Sequence, residues 1–332
     1  MTEFIAEIGG NHQGDERRIL SLTEDAIANG VKILKYQIYT GESLVSDKYD
    51  ADRVTHFKSF TLANSVYQKV IDLCLEADVE FMASIWSKSL LDEFDPFIKR
   101  YKIGSGDLTN YPLIKFMAER GKPIILSTGL SEIEEVDSAV EYIRSINDIY
   151  LQPHYLLILQ CTSVYPCPLK EVNLSVIDEY KRRYNSFIGY SHHTIQYSPI
   201  YAAISMGVDV IEFHYTDTKH DNYFRDHLIS VDASEYKKIV AFYEETVIFR
   251  GEPNKRATEQ EIVTGHIKSF RRSLFYKHDF TEGHCLTEGD FESLRPAVGI
   301  SSRYINDVIG IPLSRDVAKG DVVLESHFLT TM

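Results

Sequence analysis

Cysteine is scarce in this chain of 332 residues, and its four cysteines do not form a metal-binding or redox motif. Cys74, Cys161, Cys167 and Cys285 show no CxxC spacing, which excludes a zinc ribbon and a thioredoxin-like site. No run approaches the roughly 18 to 20 apolar residues that a membrane-spanning helix needs. Met1 leads into a strand-like segment with no basic stretch, which argues against a signal peptide. These absences together favour reduced thiols and a cytoplasmic location.

Positive charge is also scarce. Lysine and arginine number 35 against 49 aspartates and glutamates, which gives a net charge of −14. We therefore expect neither nucleic acid nor a membrane as a partner, because both present negative charge. An anionic substrate would need a local cationic pocket. The length suits one large domain and a smaller one.

Eight short apolar runs alternate with segments of helical periodicity. The predicted strands cover residues 3–8, 31–38, 79–85, 100–103, 123–128, 155–161, 187–191 and 208–214. Eight repeats over roughly 245 residues are typical of a closed (β/α)8 TIM barrel. An open doubly wound sheet is the competing architecture, but it rarely needs eight regular repeats. We predict an α/β fold with a barrel over residues 1–250.

Nearly every predicted strand ends in a polar or ionisable side chain, and in a barrel these ends meet on one face. The pattern predicts an enzyme whose site is built from these residues: Glu7, Lys35, Gln37, Ser84, Lys102, Ser105, Ser127, Gln160, Thr162, Ser191, His193, Glu212 and His214.

Two histidines end the last two predicted strands. A helix-like segment stopped by Gly207 lies between His193 and His214, so the unit reads as strand, helix, strand. Parallel neighbouring strands would bring both imidazoles into one crevice, where they could share a metal ion. A single buried histidine is more often a core residue, but two at matching strand ends favour a metal site.

Two lysines lie within the apolar strands, where an unpaired ammonium would be costly. Lys35 and Lys102, with nearby hydroxyls, favour a clamp for a phosphate or carboxylate. A Schiff-base nucleophile and a structural ion pair remain as alternatives. Glu7 and Glu212 could pair with these lysines or take part in acid–base chemistry. A metal, a cationic pocket and carboxylates suit condensation of an anionic enol with a carbonyl.

The sequence changes character after residue 250. Residues 251–268 are polar and turn-rich and are predicted to be a linker. In residues 269–332, the segment 279–283 resembles 316–320, which suggests two half-units around a local pseudo-dyad. Coincidence among turn residues is the alternative. We expect a compact β-rich module that is short for an independent core.

Motifs along nearly the whole chain resemble those of the sialic acid synthase family, which includes legionaminic and pseudaminic acid synthases, and they occur in the same order. They are AEIGGNHQGD (6–15), KYQ (35–37), YKIGSGD (101–107), STG (127–129), CTSVYP (161–166), GYSHHT (189–194), IEFH (211–214), RRSL (271–274) and LRP (294–296). The resemblance implies a TIM barrel followed by a small antifreeze-like (SAF, β-clip) domain over residues 269–332.

The same resemblance implies condensation of phosphoenolpyruvate with an N-acetylated hexose, yielding a nonulosonic acid and phosphate. It makes His193 and His214 ligands of manganese or magnesium, and it implies a domain-swapped homodimer in which Arg295 reaches the partner's sugar site. The catalytic residues would be Glu7, Lys35, Lys102, Asp107 and Glu212. The substrate-binding residues would be Gln37, Ser84, Ser105, Ser163, Tyr165, Ser191, Asp226 and Arg295.

Three features depart from the family pattern. Position 192 is usually aspartate but is His192 here, the loop 219–227 differs before Asp226, and residues 297–299 are less glycine-rich. The first two are expected near the sugar, so the acceptor could be N-acetylmannosamine or a 6-deoxy-diacetamido hexose. A Schiff-base lysine aldolase and a non-catalytic sugar-binding relative are the alternative functions.

Overall fold

A computed structural model of the protein describes residues 2–219 and 224–329. The chain divides into two compact units, Met1–Gly251 and Glu252–Met332. Among the described residues, none of the helices is both long and apolar enough to cross a membrane.

The first unit is a closed barrel of eight parallel strands in sequential order, and the predicted fold class is confirmed. Strand β1 pairs with both β2 and β8, which closes the sheet. Both ends of each predicted strand lie within two residues of the ends of the corresponding observed strand. The strands are β1 Glu3–Glu7, β2 Ile33–Ile38, β3 Glu80–Ile85, β4 Tyr101–Ile103, β5 Ile124–Ser127, β6 Leu156–Cys161, β7 Phe187–His192 and β8 Val210–His214.

Helices cover the outside of the barrel, and local signals fix several of their ends. Helix α1 begins after Asp15, whose carboxylate accepts the N–H groups of Arg17 and Arg18. Helix α9 ends at Gly207, which has a left-handed φ of 71°, as the sequence predicts. The helices are α1 Glu16–Ala28, α2 Gly41–Leu44, α3 Ala51–Phe60, α4 Asn64–Glu76, α5 Lys88–Phe94, α6 Tyr111–Ala118, α7 Ile133–Ile146, α8 Val176–Arg183, α9 Ser198–Met206, α10 Asp226–Ile229 and α11 Ala233–Arg250.

The barrel interior is layered because side chains on a strand alternate with a period of two. An apolar layer fills its lower part and consists of Ile5, Ile33, Met82, Ile125, Leu157, Leu159 and Val210. Two residues further along the strands, the same inward direction is taken by Glu7, Lys35, Ser84, Ser127 and Glu212. The polar layer therefore rests on a packed apolar floor and faces the carboxyl ends of the strands.

The second unit contains a small antiparallel sheet of β9 Ser273–Tyr276 and β10 Phe291–Leu294. Its helices are α12 Glu259–Val263, α13 His266–Phe270 and α14 Ile305–Val308, the first two within the predicted linker 251–268. The two similar segments pair reciprocally. Phe280 and Val317 exchange backbone hydrogen bonds of 3.0 and 2.9 Å. Asp316 accepts the N–H of Glu282 and Asp279 accepts that of Lys319, each at 2.8 Å.

Candidate active site

A chamber of about 440 Å³ opens at the carboxyl ends of the barrel strands. It brings together residues that lie far apart in the sequence, because each strand delivers its last inward-facing side chains to the same place. The predicted site residues that line the chamber are Glu7, Lys35, Gln37, Ser84, Lys102, Ser105, Asp107, Ser127, Ser163, Tyr165, Ser191, His193, Glu212 and His214. Gln160 and Thr162, which were also predicted there, are not part of its lining: Gln160 donates to the Val172 carbonyl at 3.0 Å, and Thr162 donates to the Glu171 carbonyl at 2.7 Å. Arg295 belongs to the second unit, where its guanidinium lies 5.0 Å from the centre of the Phe270 ring.

Four buried charged groups form the floor of the chamber. The Lys35 ammonium forms an ion pair with the Glu7 carboxylate and lies 3.8 Å from that of Glu212. The Lys102 ammonium lies 3.4 Å from the other oxygen of Glu212. All four side chains are almost fully shielded from solvent. Two ammonium groups against two carboxylates leave the floor close to neutral before any ligand binds.

Hydrogen bonds with neutral side chains hold these charges in place. Lys35 donates to Ser84 at 3.4 Å and Lys102 donates to Ser127 at 2.7 Å. Gln37 donates to Glu7 at 2.9 Å, and Ser191 donates to Glu212 at 3.0 Å. The second carboxylate oxygen of Glu7 is the one paired with Lys35, whereas that of Glu212 lies 3.8 Å from Lys35 and has no hydrogen-bond partner among the described residues. This Glu212 oxygen and the ammonium groups can therefore interact with a ligand.

The two carboxyl groups have opposite protonation tendencies. Burial, together with the nearby Glu212 carboxylate, raises the pKa of Glu7 above its ordinary value, although Lys35 opposes this shift. Burial alone would also raise the pKa of Glu212, but Lys102 and Lys35 outweigh it and hold the pKa at about 2. Glu212 is thus a permanent anion, whereas Glu7 can hold a proton. Two carboxyl groups with separated pKa values are what acid–base chemistry requires.

Burial lowers the pKa of Lys102, with the Lys35 ammonium adding to the effect and Glu212 opposing it. The charged form of Lys102 is therefore destabilised in the empty chamber, and an anion that binds beside it would stabilise this form. A carboxylate or phosphate is the ligand chemistry that fits this part of the site.

His193 and His214 meet on one side of the chamber, with ring centres 5.7 Å apart. The Nδ1 atom of His193 is 2.9 Å from the Thr162 carbonyl oxygen and donates its proton there, which leaves Nε2 with a free lone pair. The Nδ1 atom of His214 is buried and has no hydrogen-bond partner among the described residues. Burial lowers the pKa of His214 to about 4, so its imidazole is neutral at pH 7. Burial would lower the pKa of His193 as well, but the adjacent Cys161 thiol and the Thr162 carbonyl outweigh burial and raise this pKa above its ordinary value. Two imidazoles whose Nε2 lone pairs are free in the neutral form fit a divalent metal, which would take the place of the proton on His193.

The described part of the chain contains no group of three or more histidine, cysteine, aspartate or glutamate side chains placed to hold a metal. The protein would thus supply two nitrogen ligands and leave the remaining positions for substrate oxygens and water. An open coordination sphere is typical of catalytic rather than structural metal sites.

His192 lies outside the chamber, and the expectation that it stands near the sugar is wrong. It is only 1% exposed, and its Nδ1 is 3.3 Å from the hydroxyl of Tyr190. The period-two alternation of β7 explains this placement, because Ser191 and His193 face the chamber and His192 must point the other way. Burial, followed by the neighbouring His193 and His214, lowers the pKa of His192 to about 3.

A second, outer chamber adjoins the first and shares Gln37, Tyr39, Phe57, Tyr165, His214 and Arg225 with it. Its wall is aromatic, since Phe60 lies 5.0 Å from Phe224 between ring centres. Asp226 lines this chamber, with a carboxylate oxygen 3.8 Å from Nδ1 of His214. The Arg225 guanidinium lies 5.1 Å from the Tyr165 ring centre. Residues 220–223 of the divergent loop 219–227 lie outside the described residues.

Sequence reasoning did not identify several residues of the chambers. Trp86, Tyr39, Phe57 and Arg225 form part of the wall. Trp86 could have been found, because it directly follows strand β3 and comes two residues after Ser84. Arg225 lies in the divergent loop, where no local pattern indicated its direction.

Glycine is required at position 129 because two predicted site residues, Ser105 and Ser163, pack against its backbone. A Cβ atom at this position would lie 2.4 Å from the Ser163 hydroxyl and 2.9 Å from that of Ser105. The Gly129 N–H also donates to Ser105 at 3.0 Å. Any larger residue would displace both hydroxyls from the chamber.

Comparisons with known proteins agree with this architecture. Residues 22–255 match the NeuB family, and residues 271–329 match the SAF domain. An uncharacterized protein of Methanocaldococcus jannaschii is 31% identical over 97% of this chain and 93% of its own length. The N,N'-diacetyllegionaminic acid synthase of Legionella pneumophila is 29% identical over 98% of this chain and 95% of its own length. The solved N-acetylneuraminic acid (sialic acid) synthetase of Leptospira borgpetersenii superimposes with a TM-score of 0.73 at 25% identity, covering 80% of this chain and 90% of that one.

Proposed function

Since the chain belongs to the NeuB family, we propose that it condenses phosphoenolpyruvate with an N-acetylated hexose to give a nonulosonic acid and phosphate. The observation that carries the proposal is the joint presence of the Lys35 and Lys102 ammonium groups and the His193 and His214 imidazoles in one chamber. The two ammonium groups suit a small anion, and the two imidazoles suit a metal beside it.

Phosphoenolpyruvate matches the charge and size of the inner chamber. Its carboxylate and phosphate would lie against Lys35 and Lys102, with hydroxyls of Ser84, Ser105 and Ser191 available as further donors. Because the empty floor is close to neutral, a polyanion would bring excess negative charge into it. A proton on Glu7 and a divalent cation would compensate for that charge.

We infer that the cation is manganese or magnesium and that His193 and His214 hold it. When bound, it would act as a Lewis acid on the aldehyde oxygen of the open-chain sugar.

The residues of the chain would then orient the reactants and move protons. Lys35 and Lys102 hold phosphoenolpyruvate with its C3 facing the aldehyde carbon, and the new C–C bond forms between these atoms. Water adds at C2, and phosphate leaves with cleavage of its bond to that carbon. Glu7, whose pKa is raised by burial, is our candidate for exchanging a proton with the water or with the new hydroxyl. Glu212 stays ionised and keeps both lysines charged.

The acceptor would extend into the outer chamber. Phe57, Phe60 and Phe224 give it apolar surface, which suits methyl and acetamido groups more than it suits bare hydroxyls. The similarity to an N,N'-diacetyllegionaminic acid synthase supports a diacetamido sugar. We therefore propose a 2,4-diacetamido-6-deoxy hexose as the acceptor, with N-acetylmannosamine as the second candidate.

Phosphate release tests the proposal. The protein is incubated with phosphoenolpyruvate, manganese or magnesium, and a panel of 2-acetamido and 2,4-diacetamido hexoses, and products are identified by mass spectrometry. We expect one phosphate released for each nine-carbon 2-keto acid formed. Lys102→Met should lose nearly all turnover, whereas Lys170→Met, whose side chain is 82% exposed, should not. Folded, metal-loaded protein that releases no phosphate with any acceptor would refute the proposal.

A Schiff-base aldolase is the second candidate function, because the lowered pKa of Lys102 is also what an amine nucleophile needs. Borohydride reduction in the presence of pyruvate would trap an adduct on Lys35 or Lys102 in that case. A non-catalytic sugar-binding relative would instead bind sugar in the presence of a chelator and show no turnover. Our proposal predicts no trapped adduct and loss of turnover with the chelator.

A further inference from the structure

Trp86 is the single tryptophan of the chain and lies in the wall of the inner chamber. It follows strand β3 directly, so the barrel presents it at the same level as the predicted site residues. The Trp86 indole packs against an aromatic neighbour, Tyr39, in an edge-to-face contact of 5.7 Å between ring centres. Tyr39 in turn contacts Phe57 at 5.5 Å, so the indole ring is held by packing from the outer side.

The indole N–H of Trp86 donates to one carboxylate oxygen of Asp107 at 2.5 Å. The other carboxylate oxygen accepts from the Asn110 side chain at 3.1 Å. An indole nitrogen can only donate, so the direction of the first bond is certain and Asp107 must be the acceptor. Two donors on different segments therefore fix the rotamer of a carboxylate that faces the chamber.

We propose that Trp86 is a positioning residue of the condensation, and that its N–H holds the Asp107 carboxylate toward the acceptor sugar. This inference rests on the proposed function and adds a residue that the sequence motifs do not contain. Asp107 lines the same inner chamber as Trp86 and the two lysines. A carboxylate that is already held in one orientation can accept a hydrogen bond from a sugar hydroxyl without losing side-chain conformational entropy when the sugar binds.

Packing alone does not account for a tryptophan at this position. A phenylalanine would fill an aromatic wall next to Tyr39 equally well, but it would leave Asp107 with the Asn110 donor only. The N–H is thus the group that distinguishes the two residues, and it is the group that contacts Asp107.

Kinetics of Trp86→Phe test the proposal, since this change keeps an aromatic ring and removes the donor. We expect kcat/KM for the acceptor to fall on the order of 10- to 100-fold, the effect of losing a hydrogen bond to a charged group. The KM for phosphoenolpyruvate should not change, because Lys35, Lys102 and Ser84 are untouched. Trp86→His, which retains a ring N–H, should recover part of the loss.

A double-mutant cycle with Asp107→Ala, which removes the acceptor, separates positioning from a direct effect of the ring on the sugar. If Trp86 acts through Asp107, adding Trp86→Phe to Asp107→Ala should cause little further loss. Additive losses, or an unaffected Trp86→Phe, would overturn the proposal. The matched control is Tyr184→Phe, which removes a 2.7 Å aromatic-to-aspartate hydrogen bond to Asp137 outside the chambers and should leave the kinetics unchanged.

Fluorescence gives a readout that does not require turnover. Because Trp86 is the only tryptophan, the emission of the protein reports on its surroundings alone. Asp107→Ala should shift this emission, whereas Tyr184→Phe should not, and an identical spectrum for Asp107→Ala would contradict the hydrogen bond. If the wild-type protein releases no phosphate with any acceptor, the proposed function fails while the hydrogen bond remains tested by emission.

Discussion

Glu212 is the residue on which the charge of the inner chamber depends. It lies 3.4 Å from the Lys102 ammonium and 3.8 Å from that of Lys35, and it stays ionised because their charges outweigh burial. Among the described residues, Lys35 alone of the two lysines has a further carboxylate partner, Glu7. Loss of the Glu212 charge would therefore affect Lys102 most.

Glu212→Gln should lower the free energy of unfolding by about 3 kcal/mol at pH 7, because it leaves a buried ammonium without its carboxylate. Urea unfolding at constant ionic strength measures the change. Glu171→Gln is the control, since this glutamate pairs with the exposed Lys170 and should change stability by less than about 0.5 kcal/mol. Equal effects of the two variants would contradict this account of the chamber floor.

His214→Ala should abolish binding of manganese while the barrel stays folded, because the proposed site has two protein nitrogens and loses one of them. Equilibrium dialysis followed by metal analysis gives the stoichiometry, and circular dichroism reports the fold. His192→Asn should bind manganese as the wild type does, since His192 faces away from the chamber. Unchanged stoichiometry in His214→Ala would remove this residue from the ligand set.

The stability of the barrel should depend on pH through His192. Its pKa is lowered to about 3 in the folded chain, against roughly 6.5 in an unfolded one. The unfolded chain thus binds more protons between these values, and the stabilisation present above pH 6.5 is lost as the pH falls toward 3. Metal-free wild-type protein should lose about 2 kcal/mol from this group between pH 7 and pH 5. His192→Asn should show a flatter dependence, and an unaltered slope would exclude the histidine as its cause.

At the scale of elements, the strands of the barrel were predictable to within two residues, because a strand of a parallel barrel is a continuous apolar run with helices on either side. The polar strand ends were predictable as well, because a polar residue that ends a continuous apolar run is visible in the sequence. The small unit was harder to read, since its strands are short and only a repeated turn segment indicated its symmetry. The reciprocal hydrogen bonds of Asp279 and Asp316 explain why these residues occur at equivalent places in the two segments.

Hydrogen exchange on the full chain can test this local symmetry. Asp279→Ala should accelerate exchange of the Lys319 amide, and Asp316→Ala should accelerate that of the Glu282 amide, because each change removes the acceptor of that N–H. Each variant should cost the protein about 1 kcal/mol of stability. Asp307→Ala serves as the control for removal of an aspartate from the same unit. Faster exchange at the segment that carries the substitution, instead of at the opposite one, would contradict the reciprocal pairing.

At the scale of the whole molecule, the strong net negative charge and the two ammonium groups of the chamber floor have separate roles. The net charge of −14 disfavours polyanionic partners, whereas two shielded ammonium groups provide a local site for a small anion. The domain-swapped homodimer remains a prediction from the family resemblance, and Arg295 is the residue that would act across it.

Complementation between inactive variants tests that assembly. Arg295→Ala and Lys102→Met should each lose most activity as separate proteins. If Arg295 serves the partner subunit, mixing and reassembling the two should restore about one quarter of wild-type activity, since half of the dimers carry one intact site. Analytical ultracentrifugation of the wild-type protein gives the oligomeric state. A monomer, or a mixture without recovered activity, would contradict the swapped dimer.

The sequence by itself determined the eight strands, the polar residues at their ends and the family, because strand direction and the period-two alternation are local properties of the chain. Only the tertiary structure decided which of these residues contact one another. Lys35 with Glu7 and Glu212, and Trp86 with Asp107, meet because the barrel closes. The same geometry points His192 away from the chamber, although its sequence neighbours Ser191 and His193 line the chamber. Contacts of this kind depend on the closure and register of the barrel, which no local pattern in the sequence specifies.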